Sequence, residues 1–86
     1  MNSYTCADHG DYFWSAAEIL EHLRDHHASF IGQPGLPGVM DSHGHIWYCF
    51  ECESHSTKHR GFDSDQAMLD HLKQRHGNIM SSVYIN

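Results

Sequence analysis

Eighty-six residues suffice for one small domain or two very small ones, because a chain this short hides only ~60–65% of its unfolded surface and its core alone is a thin source of stability. Hydrophobic residues are 40% and charged residues 19% of the chain, and no apolar run approaches the ~20 residues of a spanning helix, so a disordered tail and a membrane protein are both excluded and a soluble domain is expected. Five Lys+Arg against eleven Asp+Glu leave a net charge of −6, the wrong sign for attraction to phosphate backbones or anionic lipid. Ten histidines are the anomaly, since histidine is a common metal ligand and changes charge near neutral pH. Three cysteines cannot pair off completely and Cys49 and Cys52 stand only three positions apart, which argues against a disulfide framework and for an intracellular, reducing compartment, nucleus or cytoplasm. The N-terminal segment lacks a basic stretch followed by an apolar one, so no targeting peptide is expected in it.

In chain order, a short strand is expected around Ser3–Thr5, followed by a turn carrying Cys6 and His9. Ser15-Ala16-Ala17-Glu18 is a capping box, the hydroxyl accepting from the Glu18 N–H and the carboxylate reaching back to Ser15, so a first helix should run from Ala16 to His27. Residues 29–45 form a linker whose segment Gly32-Gln33-Pro34-Gly35-Leu36-Pro37-Gly38 is too rich in breakers for a helix or a central strand. Its apolar content, Phe30, Ile31, Leu36, Val39 and Met40, exceeds what a free tether needs, so part of it should pack. A second strand is expected over Ile46–Cys49 and a second helix over Asp65–His76, with Asp63, Ser64 and Asp65 at the positive end of its dipole and Gly77 as the residue that ends it. The tail Ser82-Val83-Tyr84-Ile85 alternates in a way that could add a strand to a sheet edge.

The two halves are copies of one pattern. Tyr4-x-Cys6-x2-His9 is followed by Phe13, Ile19, His22-Leu23-Arg24 and His27, and Trp47-x-Cys49-x2-Cys52 by Phe62, Met68, His71-Leu72-Lys73 and His76, with identical spacings from Phe13 and Phe62 onward. This pattern resembles that of the C-C-H-H zinc fingers over roughly residues 4–27 and 47–77. The first copy keeps the family's twelve residues between His9 and His22 but has His9 in place of the second Cys, and the second copy has eighteen residues between Cys52 and His71. The resemblance implies a small α+β fold of two zinc-stabilised ββα-like units, residues 3–28 and 46–77, joined by the Pro/Gly-rich linker and followed by a tail, 78–86. The units would be either separate or fused into one compact domain through their helices.

Structural zinc takes four N or S donors in a tetrahedron. Finger one offers Cys6, His9, His22 and either His26 or His27, and finger two offers Cys49, Cys52, His71 and His76, so two Zn2+ per chain are expected. An i,i+4 pair suits a straight helix and favours His26, whereas agreement with His71-x4-His76 favours His27. His43, His45, His55 and His59 complete no recognisable catalytic ligand set and read as solvated loop residues, with His55 and His59 as possible substitute ligands; an enzyme with a small-molecule substrate is not expected.

The family's base-reading positions map by resemblance onto Ser15, Glu18 and Glu21, and onto Ser64, Ala67 and Asp70. None is the Arg, Asn or Gln that grips a base edge, and two bound zinc ions with three thiolates would move the charge only from −6 to −5. On a helical wheel Leu20 lies about 100° from Ile19 and well off the expected miniature core, and Leu69 occupies the same angle in the second copy. Those leucines either pack inside the chain or form, with Trp14 and its neighbour Tyr12, a docking site for a protein partner. The sequence therefore points to a non-enzymatic, zinc-supported protein-interaction module. The alternatives are a nucleic-acid-binding finger, opposed by the charge, and a ubiquitin-binding zinc finger that would use an exposed helix face.

Overall fold

The computed structural model describes residues 3–35, 39–53 and 59–85, so the expectations placed on Leu36 and His55 lie outside the described residues. Each half of the sequence forms two short strands and a helix: β1 (Tyr4–Cys6), β2 (Asp11–Phe13) and α1 (Ala16–His26), then β4 (Trp47–Cys49), β5 (Arg60–Phe62) and α2 (Asp65–Arg75). Between the halves the linker contributes β3 (Ile31–Gly32), and after α2 come a short helix, α3 (Gly77–Met80), and β6 (Val83–Ile85).

The helix starts follow from side-chain capping. Ser15 and Ser64 are extended, and their side chains accept from the N–H groups of Glu18 (3.3 Å) and Ala67 (3.1 Å), satisfying donors that the first turn leaves free. The second arm of the expected capping box is displaced by one residue, because Glu18 Oε2 accepts from the Trp14 N–H at 3.0 Å rather than from Ser15. Both helices end at a histidine, His27 and His76, whose N–H still donates to the carbonyl four residues back, Leu23 and Leu72, although neither residue has helical backbone angles. Gly77 does not stop α2 with a left-handed conformation; it starts α3, and among the described residues only Gly10 and Gly44 have positive φ. Gly10 (φ 70°) closes the turn between β1 and β2, its N–H donating to the Cys6 carbonyl at 2.7 Å.

The strands are not confined to their own halves. One antiparallel sheet has the order β2-β1-β6 and the other β3-β4-β5, so the strand that follows each helix completes the sheet of the opposite half. Val83 lies opposite Cys6, and Ile31 lies opposite Cys49. Equivalent hydrogen bonds fasten the two exchanges: Ala7 N–H to the Ser82 carbonyl and Phe50 N–H to the Phe30 carbonyl, both 2.8 Å. The linker, expected to be a loop, thus supplies an edge strand. Two residues suffice because Ile31 buries its side chain in the core and Gly32 lets the Phe50 ring lie against its backbone, where any Cβ would stand about 2.1 Å from that ring.

One apolar core results. It joins Tyr4, Ile19, Leu20 and Leu23 of the first half to Trp47, Phe62, Met68, Leu69 and Leu72 of the second, and adds Ile31 from the linker and Met80 and Val83 from the tail. Leu20 and Leu69 are both 0% exposed, which removes two of the four residues assigned from sequence to a docking site. The reason is the direct packing of α1 on α2, which turns the apolar shoulder of each helix toward the other. Among the described residues no helix is long and apolar enough to cross a membrane.

Candidate metal centres

Two groups of four donor atoms converge in the structure, Cys6 with His9, His22 and His27, and Cys49 with Cys52, His71 and His76, the atoms of each group all lying within 4.8 Å of one another. The local folding explains the convergence. The turn after β1 or β4 brings two donors together. The third donor, His22 or His71, lies about one helical turn before the capping histidine, and the chain leaves the helix at that cap, which swings a ligand five positions along back onto the same face. His27 therefore completes the first group, and His26, the alternative suggested by straight-helix geometry, stays at its rim.

The spacings suit a tetrahedral ion. Bonds of ~2.0–2.1 Å to imidazole nitrogen and ~2.3 Å to thiolate place tetrahedral donors roughly 3.3–3.8 Å apart. In the first group His9 Nδ1 and His22 Nε2 are 3.1 Å apart, Cys6 Sγ and His27 Nε2 3.4 Å, and Cys6 Sγ and His9 Nδ1 3.8 Å. In the second, Cys49 Sγ and Cys52 Sγ stand 3.5 Å from His76 Nε2 and His71 Nε2, and Cys52 Sγ is 3.8 Å from His76 Nε2. All three cysteines are unpaired thiols, and each sits in one of these groups.

Protonation favours a cation here. Burial, reinforced by the charges of His76, Arg60 and Arg75, pushes His71 down to about 4, and burial likewise lowers His22, aided by His27, His26 and His9, so both rings are held in the neutral form that binds metal. Burial first, and then the Cys52 side chain, pushes the Cys49 thiol up to about 11, so its proton leaves only when a metal ion replaces it. A prediction follows from the sign of the His71 shift. The unfolded chain titrates near the ordinary value of ~6.5, so between pH 6.5 and about 4 it binds the proton that folded His71 refuses. Stability is fully present above that window and should fall as the pH drops through it. Denaturant midpoints of the metal-loaded chain measured from pH 8 to 4 should decline steadily below ~6.5, since a bound ion also holds His71 neutral, and a flat profile would mean that His71 is not held as a neutral ring.

The other sequence assignments divide clearly. Trp14 is 68% exposed and meets the Tyr12 ring edge-on at 4.9 Å. Tyr84, in the tail that the sequence offers as a binding surface should Leu20 and Leu69 be buried, joins the face of Tyr12: the two are the cross-strand neighbours of Thr5, one on each side. The alternation of Tyr84 with Val83 carried that signal, and the pairing of β6 with β1 puts it on the same sheet face as Tyr12, with Thr5 between them. His43 and His45 enter no metal group. Asp41 accepts from the N–H of both, at 2.9 and 3.0 Å, and the His45 ring lies against the backbone of Gly61. His59 sits beside the Phe50 ring, 4.8 Å between centroids, and belongs to neither group. No protein-family model, curated protein or solved structure matches the chain.

Proposed function

We propose that the chain is a non-enzymatic module of the C-C-H-H zinc finger type, in which two Zn2+ ions hold a fold whose task is to bind another protein. The observation that carries this reading is the pair of four-donor groups at tetrahedral spacing. The mixed thiolate and imidazole donors suit zinc, and four protein ligands fill the shell and leave no open position for a substrate or an activated water. The need for reduced thiols fits an intracellular compartment, nucleus or cytoplasm.

The surface favours a protein partner over nucleic acid. Tyr12, Trp14 and Tyr84 are exposed aromatic groups of the kind enriched at protein interfaces. The positions that the finger family uses to read bases carry Glu18, Glu21 and Asp70 on a chain of charge −6. The ubiquitin-binding alternative would use the exposed helix face, to which Leu20 and Leu69 contribute nothing because both are in the core.

Capture of partners on immobilised, zinc-loaded chain, with and without nuclease, tests the reading. Trp14→Ser should keep two ions and the helical signal while losing the captured protein. Nuclease-sensitive capture, or binding to nucleic acid that weakens steeply as salt rises, would replace the reading with the nucleic-acid one.

A further inference from the structure

The two metal centres are built on one pattern and, besides His9 standing where the second has Cys52, differ in two places around the ligands, both of which open the first. Phe30 and Ser82 occupy equivalent positions, each accepting at its carbonyl from the residue after the first cysteine of a centre. At the second centre the Phe30 ring covers His76, 4.4 Å between centroids at 33°. At the first centre the equivalent residue is a serine and supplies no ring. Arg75 and His26 are likewise equivalent, each directly preceding the last histidine of its centre. A guanidinium stays charged and cannot donate to a metal, whereas His26 is an imidazole. Its ring centroid lies 4.9 Å from that of His22 and 5.3 Å from that of His9.

Access is asymmetric as well. His9 and His26 are both exposed, and a cleft of about 250 Å3 opens beside His26 and His27, lined also by Arg24, Asp25, Ala28 and Ser29. The second centre has no exposed ligand. His22 and His26 are four residues apart on α1, the spacing at which a straight helix presents two imidazoles to one ion.

We propose that the first centre exchanges its metal with small chelates in solution and that His26 is the relay ligand. His26 would take the place of the exposed His9 ring beside Cys6, His22 and His27 when a bound ion is being handed over. Each imidazole donates its own lone pair, so the step needs no redox partner and moves no net charge. The second centre, capped by Phe30 and flanked by Arg75, keeps its ion. The proposal rests on the reading that both groups bind metal.

The test mixes the full chain, loaded with two zinc ions by native mass spectrometry, with a chromophoric chelator and follows transfer over time. One ion should leave fast and one slowly. His26→Ala should still hold two ions and slow the fast phase on the order of tenfold, leaving the slow phase unchanged. Phe30→Ala should quicken only the slow phase. A chain that binds two ions but transfers them at rates indifferent to His26→Ala overturns the relay alone, and so does a His26→Ala protein that holds a single ion, because His26 would then be a resident ligand. A native chain that takes up no zinc overturns the reading beneath it.

Discussion

Chelating the metal should unfold the whole chain in one transition, not one half at a time. Structural zinc contributes ~10–16 kcal/mol to finger peptides near neutral pH, comparable to or larger than the ~5–15 kcal/mol net stability of an ordinary domain. Neither half has a core of its own to fall back on. Ile31 and Val83 each complete the opposite half's sheet, and Leu20, Leu23, Met68, Leu69 and Leu72 belong to one cluster. The shared core holds both halves while the more slowly released ion stays, and once that ion is lost the released hairpin takes the other half's partner strand with it. The two tryptophans report on this separately, since Trp47 is buried and Trp14 is open to solvent. A chelator titration should shift Trp47 emission and lower the helical circular dichroism at the same midpoint. Survival of about half the helical signal after one ion has left would show that the halves fold independently.

Leu20→Glu and Leu69→Glu should each abolish folding, in contrast to the harmless surface change that these positions would allow if they were docking residues. Both side chains are completely buried between α1 and α2. Truncation of such a leucine to alanine costs ~2–5 kcal/mol through lost burial and the cavity left behind. An unpaired carboxylate in the same place adds the cost of taking a charge out of water, several kcal/mol more, and the sum exceeds the stability of a domain of this size. Trp14→Glu is the control, and should change stability by no more than ~0.5 kcal/mol because the ring stands in solvent. Helical circular dichroism and zinc content of the three variants decide the matter: a Leu20→Glu protein that keeps both would place α1 away from α2.

What could be read from the sequence divides along the range of the interactions. The donor groups were legible because a turn and a helix cap fix them locally, and the agreement of His22-x4-His27 with His71-x4-His76 already favoured the residue that completes the first group. Helix starts were legible for the same reason, since Ser15 and Ser64 act on donors three residues away. The alternation of Val83-Tyr84-Ile85 showed β6 as a strand able to join a sheet edge, but neither the strand β3 nor the crossing of both strands to the opposite half was legible. The two residues of β3 carry no periodic signal, and the place of both strands depends on a half that lies distant in sequence. The wheel angle of Leu20 and Leu69 marked surplus apolar surface but could not say what covers it, and the answer is each other's helix. Gly77 does follow the His76 cap as expected, but it lacks a left-handed conformation because the chain after α2 does not turn away. It makes the short helix α3, which carries Met80 into the core and aims β6 at β1.

Cobalt substitution reads the metal centres through their ligands. The chain should bind two Co2+ ions with the intense visible bands of tetrahedral sites, and its near-ultraviolet thiolate-to-cobalt absorption should correspond to three sulfur ligands, one at the first centre and two at the second. Weak octahedral bands, or cobalt uptake with no thiolate absorption, would contradict the assignment of Cys6, Cys49 and Cys52 as metal ligands and with it the proposal that metal holds this fold together.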